Sequence, residues 1–176
     1  MPTQTSSNHE ASIFNKENLK IEHAPSSMVN SEPQTFAAQT SFMIQAASLS
    51  EMKRKAMESG NYEKHFEQGG LFYEGQLIDG VKSGYGCQVK ENGEKYEGQW
   101  VDGRKEGFGK LTFSNGEVYT GMFLNDKPNG QGKKEFILGK EVYDGMWENG
   151  KANGQGVYYY GDGVTVYRGE FWDMKP

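Results

Sequence analysis

Tyr96-Glu-Gly98-Gln-Trp100-Val-Asp102-Gly103-Arg-Lys-Glu-Gly107-Phe-Gly109-Lys-Leu111-Thr-Phe113-Ser-Asn115-Gly116 decides the fold of this chain. Side chains alternate across a strand, so Tyr96, Gly98 and Trp100 share one face while Glu97 and Gln99 share the other. Asp102-Gly103 then signals a turn, because both residues tolerate positive φ. A second strand follows, with Gly107, Gly109, Leu111 and Phe113 on one face. Asn115-Gly116 turns the chain once more. The stretch is a β-hairpin that ends where another can begin.

Others do begin. Tyr73-Glu-Gly75-Gln-Leu77 precedes the stretch, and Tyr119-Thr-Gly121-Met-Phe123, Tyr143-Asp-Gly145-Met-Trp147 and Tyr167-Arg-Gly169-Glu-Phe171 follow it. The tyrosines lie 23, 23, 24 and 24 residues apart. Self-similarity at such a period marks a repeat array, in which each unit buries its apolar face against its neighbours. The expected fold is therefore all-β: an elongated, curved, single antiparallel sheet of hairpin repeats. Two strands per unit at ~4.8 Å spacing give ~10 Å per repeat. Residues 73–176 hold four full units and a partial fifth, which is expected to form an edge.

Glycine inside a strand weakens it, so its repetition needs a reason. Without a Cβ, Gly75, Gly98, Gly121 and Gly145 leave a floor on which neighbouring aromatics lie. The Gly-x-Gly pairs at 84/86, 107/109, 130/132 and 154/156 are expected to do the same on the second strand and to let the sheet bend. A lone Gly-x-Gly would suggest a phosphate loop; here it recurs in every unit, with no helix after it and no Gly-Lys-Ser/Thr. The third unit has Asp126-Lys-Pro128 where the turn glycine belongs, so a different turn is expected there.

Outside the repeats, residues 1–40 are polar, without a sustained period, and read as an extended or disordered tail. Residues 41–60 read as a short helix, with Ser48-x-x-Glu51 as a capping box, Gly60 at its end, and Leu49, Met52 and Ala56 on one face. Lys53-Arg54-Lys55 is a short basic cluster, best read as a solvated helix face. Residues 61–72 read as a capping segment in which Tyr62 and Phe66 cover the open end of the array.

The chain has 176 residues, 24 of them Gly, with 10 Tyr, 10 Phe and 3 Trp, a balance suited to aromatics packed on glycines. Its net charge of −5 makes no case for nucleic-acid binding. Cys87 is the single cysteine, so no internal disulfide can form. No apolar run approaches the ~18–20 residues of a membrane span. The N-terminus lacks a signal-peptide apolar core, and Glu10 with the absence of Arg argues against a mitochondrial transit peptide. His9, His23 and His65 are scattered, so a metal site is not expected. The carboxylates cluster at turns or on the polar strand face, where turn formation explains them better than acid–base chemistry. Neither enzyme activity nor a cofactor is expected.

The repeats resemble the MORN family (membrane occupation and recognition nexus), whose unit is Tyr-x-Gly-x-Trp, a Gly three residues on, Gly-x-Gly, and a closing Gly. Leu77, Phe123 and Phe171 stand in for Trp. The resemblance implies a non-catalytic scaffold that holds an extended or helical peptide on a curved aromatic face. It also implies a place in a large cytoplasmic assembly: cytoskeletal, axonemal or radial-spoke-like, or less readily mitochondrial. The candidate partner-binding residues are Tyr73, Tyr96, Trp100, Tyr119, Phe123, Tyr143, Trp147, Tyr167 and Phe171. Core packing is the default for each taken singly, yet a subset should stay exposed because a single-layer sheet has no second layer. Membrane-lipid binding, for instance to phosphoinositides, is disfavoured by charge, since residues 73–176 carry 13 Lys and Arg against 16 Asp and Glu. Open strand edges make self-association an expectation.

Overall fold

The computed structural model describes residues 49–67, 70–137 and 140–174. Within them the turns punctuate the chain as the repeat demands. Asp79-Gly80, Asp102-Gly103 and Asn149-Gly150 all take positive φ at both residues. These left-handed pairs match the twist of the strands they join. The tail at 1–40, residues 41–48 of the expected helix and Ser48 of its capping box lie outside the described residues.

Ten strands form one antiparallel sheet in sequence order. They are β1 (Tyr62–Glu67), β2 (Leu71–Ile78), β3 (Val81–Val89), β4 (Lys95–Val101), β5 (Arg104–Thr112), β6 (Val118–Leu124), β7 (Lys127–Glu135), β8 (Val142–Glu148), β9 (Lys151–Tyr159) and β10 (Val166–Met174). Among the described residues, residues 49–58 form a helix, α1. The second, wider turn is tied by Asn or Asp in units one, two and four: the Asn92 and Asn115 Oδ1 atoms accept the N–H groups of Glu94 and Glu117, each at 3.0 Å, and Asp162 Oδ1 accepts those of Val164 and Thr165.

Two sequence expectations change here. The third turn keeps its backbone: Asn125 and Asp126 both hold positive φ, 48° and 67°. Asp126 tolerates a conformation ordinarily given to Gly, and its N–H donates to the Lys105 carbonyl at 3.1 Å, as Gly103 donates to Lys82 and Gly150 to Pro128. The Asp126 carboxylate also accepts the Lys105 N–H at 2.9 Å. Each turn is thus clamped to the unit before it. Second, the two glycines of each Gly-x-Gly pair differ. Gly84, Gly107, Gly130 and Gly154 hold positive φ beside a register shift between the two strands of their hairpin. Only Gly86, Gly109, Gly132 and Gly156 are floor.

β1 pairs with β2 along its length and forms the first strand of the sheet. The sheet has two faces with different fillings. One carries the repeated aromatics and is called the tyrosine face. The other, the helix face, carries Tyr85 and Phe108, which are buried together with Leu49 and Ala56 of α1.

Candidate binding surface

On the tyrosine face the glycine pairs decide everything else. Gly98 of β4 and Gly109 of β5 stand opposite one another, and the Tyr96 ring lies across both. A Cβ built at Gly109 would stand 2.5 Å from the Tyr96 Oη and 2.6 Å from its Cε2, closer than atoms can approach. The same ring-over-glycine arrangement recurs at Tyr73, Tyr119 and Tyr143. Each tyrosine hydroxyl then donates to a carbonyl three residues on: Gln76, Gln99, Met122, Met146 and Glu170, at 2.8–3.1 Å. In the full units this residue sits at the register shift, so the hydroxyl supplies the partner that the ladder does not. Phenylalanine could lie on the same floor but could not make this bond.

Between successive tyrosines sits the next aromatic. Trp100 meets Tyr73 at 5.8 Å and Tyr96 at 5.1 Å, Phe123 meets Tyr96 and Tyr119, Trp147 meets Tyr119 and Tyr143, and Phe171 meets Tyr143 and Tyr167. All eight contacts are edge-to-face, the arrangement that aromatic quadrupoles favour by about 0.5–1.5 kcal/mol each. The Trp100 and Trp147 indoles also donate to the carbonyls of Gly86 and Gly132, at 3.2 and 2.9 Å.

The nine aromatics singled out from sequence are therefore one continuous row. Eight of them are at most 4% exposed, and Tyr167 is half-buried. The expected exposed subset is absent from this row. Each ring is covered by its neighbours along the sheet, so no second layer is needed. The solvent-facing aromatics are instead Phe66 on β1 and Trp172 on β10, 88% and 77% exposed.

Charged groups stand over the rings. The Lys82 ammonium lies 5.0 Å from the Tyr73 ring centre and 5.3 Å from that of Trp100, and Lys105 lies 5.2 Å from Tyr96. Lys134 is buried outright: its ammonium sits between Phe113 and Phe136, each at 4.8 Å, and pairs with Glu117 at 2.7 Å. Burial pulls its pKa down, and the Glu117 carboxylate opposes that pull. Burial also raises the Tyr143 hydroxyl to about 12, which leaves it an uncharged donor at neutral pH. These groups complete a packed frame. Among the described residues no three His, Cys, Asp or Glu side chains come together to hold a metal ion.

The helix face is less uniform. In the first two units Gln76 and Gln99 accept the N–H groups of Tyr85 and Phe108 through Oε1, at 2.9 and 2.7 Å. Both Tyr85 and Phe108 then lie under α1. Units three and four carry Met122 and Met146 where the glutamines were, and Gln131 and Gln155 where the rings were. A thioether is a weak acceptor and cannot replace that amide. Met122 and Met146 are 37% and 41% exposed. Sequence reading missed Tyr85 and Phe108 as a helix seat. The signal was there in the middle residue of Gly-x-Gly, aromatic in two units and Gln in two.

The hairpin tips on the helix-face side present a second exposed row: Ile78 and Val81, then Val101, then Leu124, at 45–57% exposure. Val81 reaches towards the next tip, its Cγ1 3.7 Å from where a Cβ would stand on Gly103. The basic cluster of α1 is largely satisfied within the helix: Arg54 pairs with Glu51 at 2.6 Å and Glu58 at 2.8 Å, and Lys55 with Glu51 at 3.6 Å.

Comparison with protein families matches the MORN repeat to residues 73–95, 96–118, 119–137 and 143–165. A comparison with curated proteins finds no match.

Proposed function

We propose, because the chain belongs to the MORN-repeat family, that it is a non-catalytic scaffold that binds protein partners along its sheet. MORN repeats are generally protein- or membrane-binding modules. The observation that carries the protein reading is the apolar row Ile78, Val81, Val101 and Leu124 at successive hairpin tips. A contiguous exposed apolar row on an otherwise polar surface marks a contact between proteins. Its spacing of about 10 Å per unit suits an extended or helical segment laid across the repeats.

The nine repeated aromatics enter this reading as the frame beneath the contact. They lie on the opposite face from the tips and hold the hairpins in register on the glycine floor, with the rings themselves covered by one another. We place the protein in a large assembly, a ciliary axoneme or another cytoskeletal structure, as a structural subunit. Lipid binding is the weaker reading, since the repeat array is net acidic and two of the α1 cations, Arg54 and Lys55, are paired with Glu51 and Glu58.

Affinity capture of the full chain against Val101→Asp and Leu124→Asp variants tests this. Loss of specific protein partners with an unchanged melting temperature supports the scaffold reading. Salt-sensitive sedimentation with phosphoinositide vesicles, without a protein partner, overturns it. In-cell proximity labelling that returns mitochondrial-complex subunits in place of cytoskeletal ones overturns the location.

A further inference from the structure

The apolar row at the hairpin tips alternates with a row of cations. Three residues after the glycine of each Tyr-x-Gly come Ile78, Val101, Leu124, Glu148 and Trp172. Trp172 belongs to this row because Asp173 follows it with φ 56°, as Asn149 follows Glu148 with φ 52°. The facing position on the second strand holds Val81, Arg104, Lys127 and Lys151, paired in turn with Ile78, Val101, Leu124 and Glu148. Cross-strand partners share a face. Apolar and basic side chains therefore alternate from strand to strand as Val101, Arg104, Leu124 and Lys127, all exposed. Met122 and Met146, two residues before Leu124 and Glu148, are exposed on the same face and widen its apolar side.

The cations differ in what they already hold. Lys151 pairs with Asp173. Arg104 donates to the neutral Asn125 Oδ1 at 3.1 Å, and among the described residues neither Arg104 nor Lys127 joins an ion pair. The Asp126 carboxylate, next to Lys127 in the chain, accepts the Lys105 N–H. Two available cations set between apolar side chains are complemented by carboxylates set between apolar side chains.

The spacing selects the conformation of what carries them. Successive units stand about 9.6 Å apart, two strand spacings. A β-strand covers that distance in about three residues, which turns alternate side chains away. A polyproline helix advances about 9.3 Å in three residues and keeps one face, but offers nothing on that face midway, where Arg104 and Lys127 stand. Seven residues of α-helix rise about 10.5 Å and return to within about 20° of the same face. One strand spacing is then close to one helical turn, so a residue three or four positions on stands over the intervening strand. The sheet already seats a helix on this period: Leu49 and Ala56 of α1, seven residues apart, are buried in one cluster with Tyr85 and Phe108 of successive units.

We propose, building on the scaffold reading, that the surface from Val101 to Met146 docks a partner's amphipathic helix with an apolar residue at every seventh position and a carboxylate midway between. Its apolar residues meet Val101, Leu124 and Met146, and its carboxylates meet Arg104 and Lys127. An anionic bilayer is the poorer occupant, because the exposed turn carboxylates of Asp79, Asp102 and Asp126 lie beyond the row and reach such a surface first.

The probe is a synthetic helix of about 21 residues, with Leu at every seventh position of an Ala-Gln background and Glu midway between the leucines. A control peptide of the same composition carries its Glu residues on the opposite face. Fluorescence anisotropy with the full chain at low salt reads affinity, and circular dichroism reads peptide helicity. The first peptide is expected to bind and gain helicity, and the control to bind about tenfold more weakly, the worth of two exposed ion pairs. The double variant Arg104→Glu, Lys127→Glu should lose the first peptide by the same factor at an unchanged melting temperature. It should bind tightly again when Lys replaces Glu in the peptide. Equal affinity for the two peptides, or binding without a gain of helicity, overturns the helix code and leaves the apolar row as a contact. Binding of neither peptide also overturns it, and the scaffold reading then stands or falls separately on partner capture by the native chain against Leu124→Asp. Binding to phosphatidylserine vesicles that the double variant abolishes, with neither peptide bound, gives the row to a bilayer and overturns both.

Discussion

The two faces of the same sheet obey different rules. On the tyrosine face every unit repeats one device, in which a ring lies across two glycines and a second aromatic fills the gap to the next ring. On the helix face the units fall into two pairs, one with Gln and a ring under α1, the other with Met and Gln. The repeated residues build the frame, and the residues that do not repeat decide what rests on it. A periodic pattern therefore locates the core of this chain, and departures from the period locate its surfaces.

The largest effect should come from breaking the frame. Trp147→Ala and Trp100→Ala each leave a cavity between two tyrosines and an unserved glycine carbonyl, and should lower stability by about 4 kcal/mol in thermal or chemical denaturation. Gly109→Ala comes next, at about 3 kcal/mol, because its Cβ overlaps the Tyr96 ring. Gly93→Ala is its control: φ is +83° but nothing lies within 4 Å, so only backbone strain of about 1 kcal/mol is expected. Equal losses for the two alanines would break the claim that the floor is steric.

Smaller effects should sharpen the contrast between the unit pairs. Phe108→Asp puts a charge under α1 and should cost about 2 kcal/mol of burial. Hydrogen exchange should then show residues 49–58 losing protection while β6–β9 keep theirs. Gln99→Met makes the second unit imitate the fourth and removes the acceptor of the Phe108 N–H, for about 1 kcal/mol by denaturant titration. An unchanged stability there would mean that the Gln and Met units are interchangeable, and the helix-face comparison would fail.

Much of this was legible in the residues. Alternation in Tyr96-Glu-Gly98-Gln-Trp100 sets the strand faces, and Asp-Gly and Asn-Gly set the turns, because both are local effects. Three features were not legible, each for a non-local reason. The positive φ of Asp126 depends on the Lys105 backbone it clamps, 21 residues away. The distinct duties of Gly107 and Gly109 depend on a register shift that exists only once β4 and β5 pair. The closure of the aromatic row depends on rings from adjacent units covering one another, so each ring taken singly reads as core while an exposed subset is still expected of a single-layer sheet. Lys134 follows the same logic: a strand lysine reads as solvated until Phe113, Phe136 and Glu117 converge on it.

Hydroxyl-radical footprinting of the full chain, read residue by residue with mass spectrometry, tests the closed frame most directly. Tyr73, Tyr96, Trp100, Tyr119, Phe123, Tyr143 and Trp147 should be protected together, while Phe66 and Trp172 react freely. Trp100 and Trp147 reacting as fast as Trp172 would contradict a self-covered tyrosine face and return those rings to open surface.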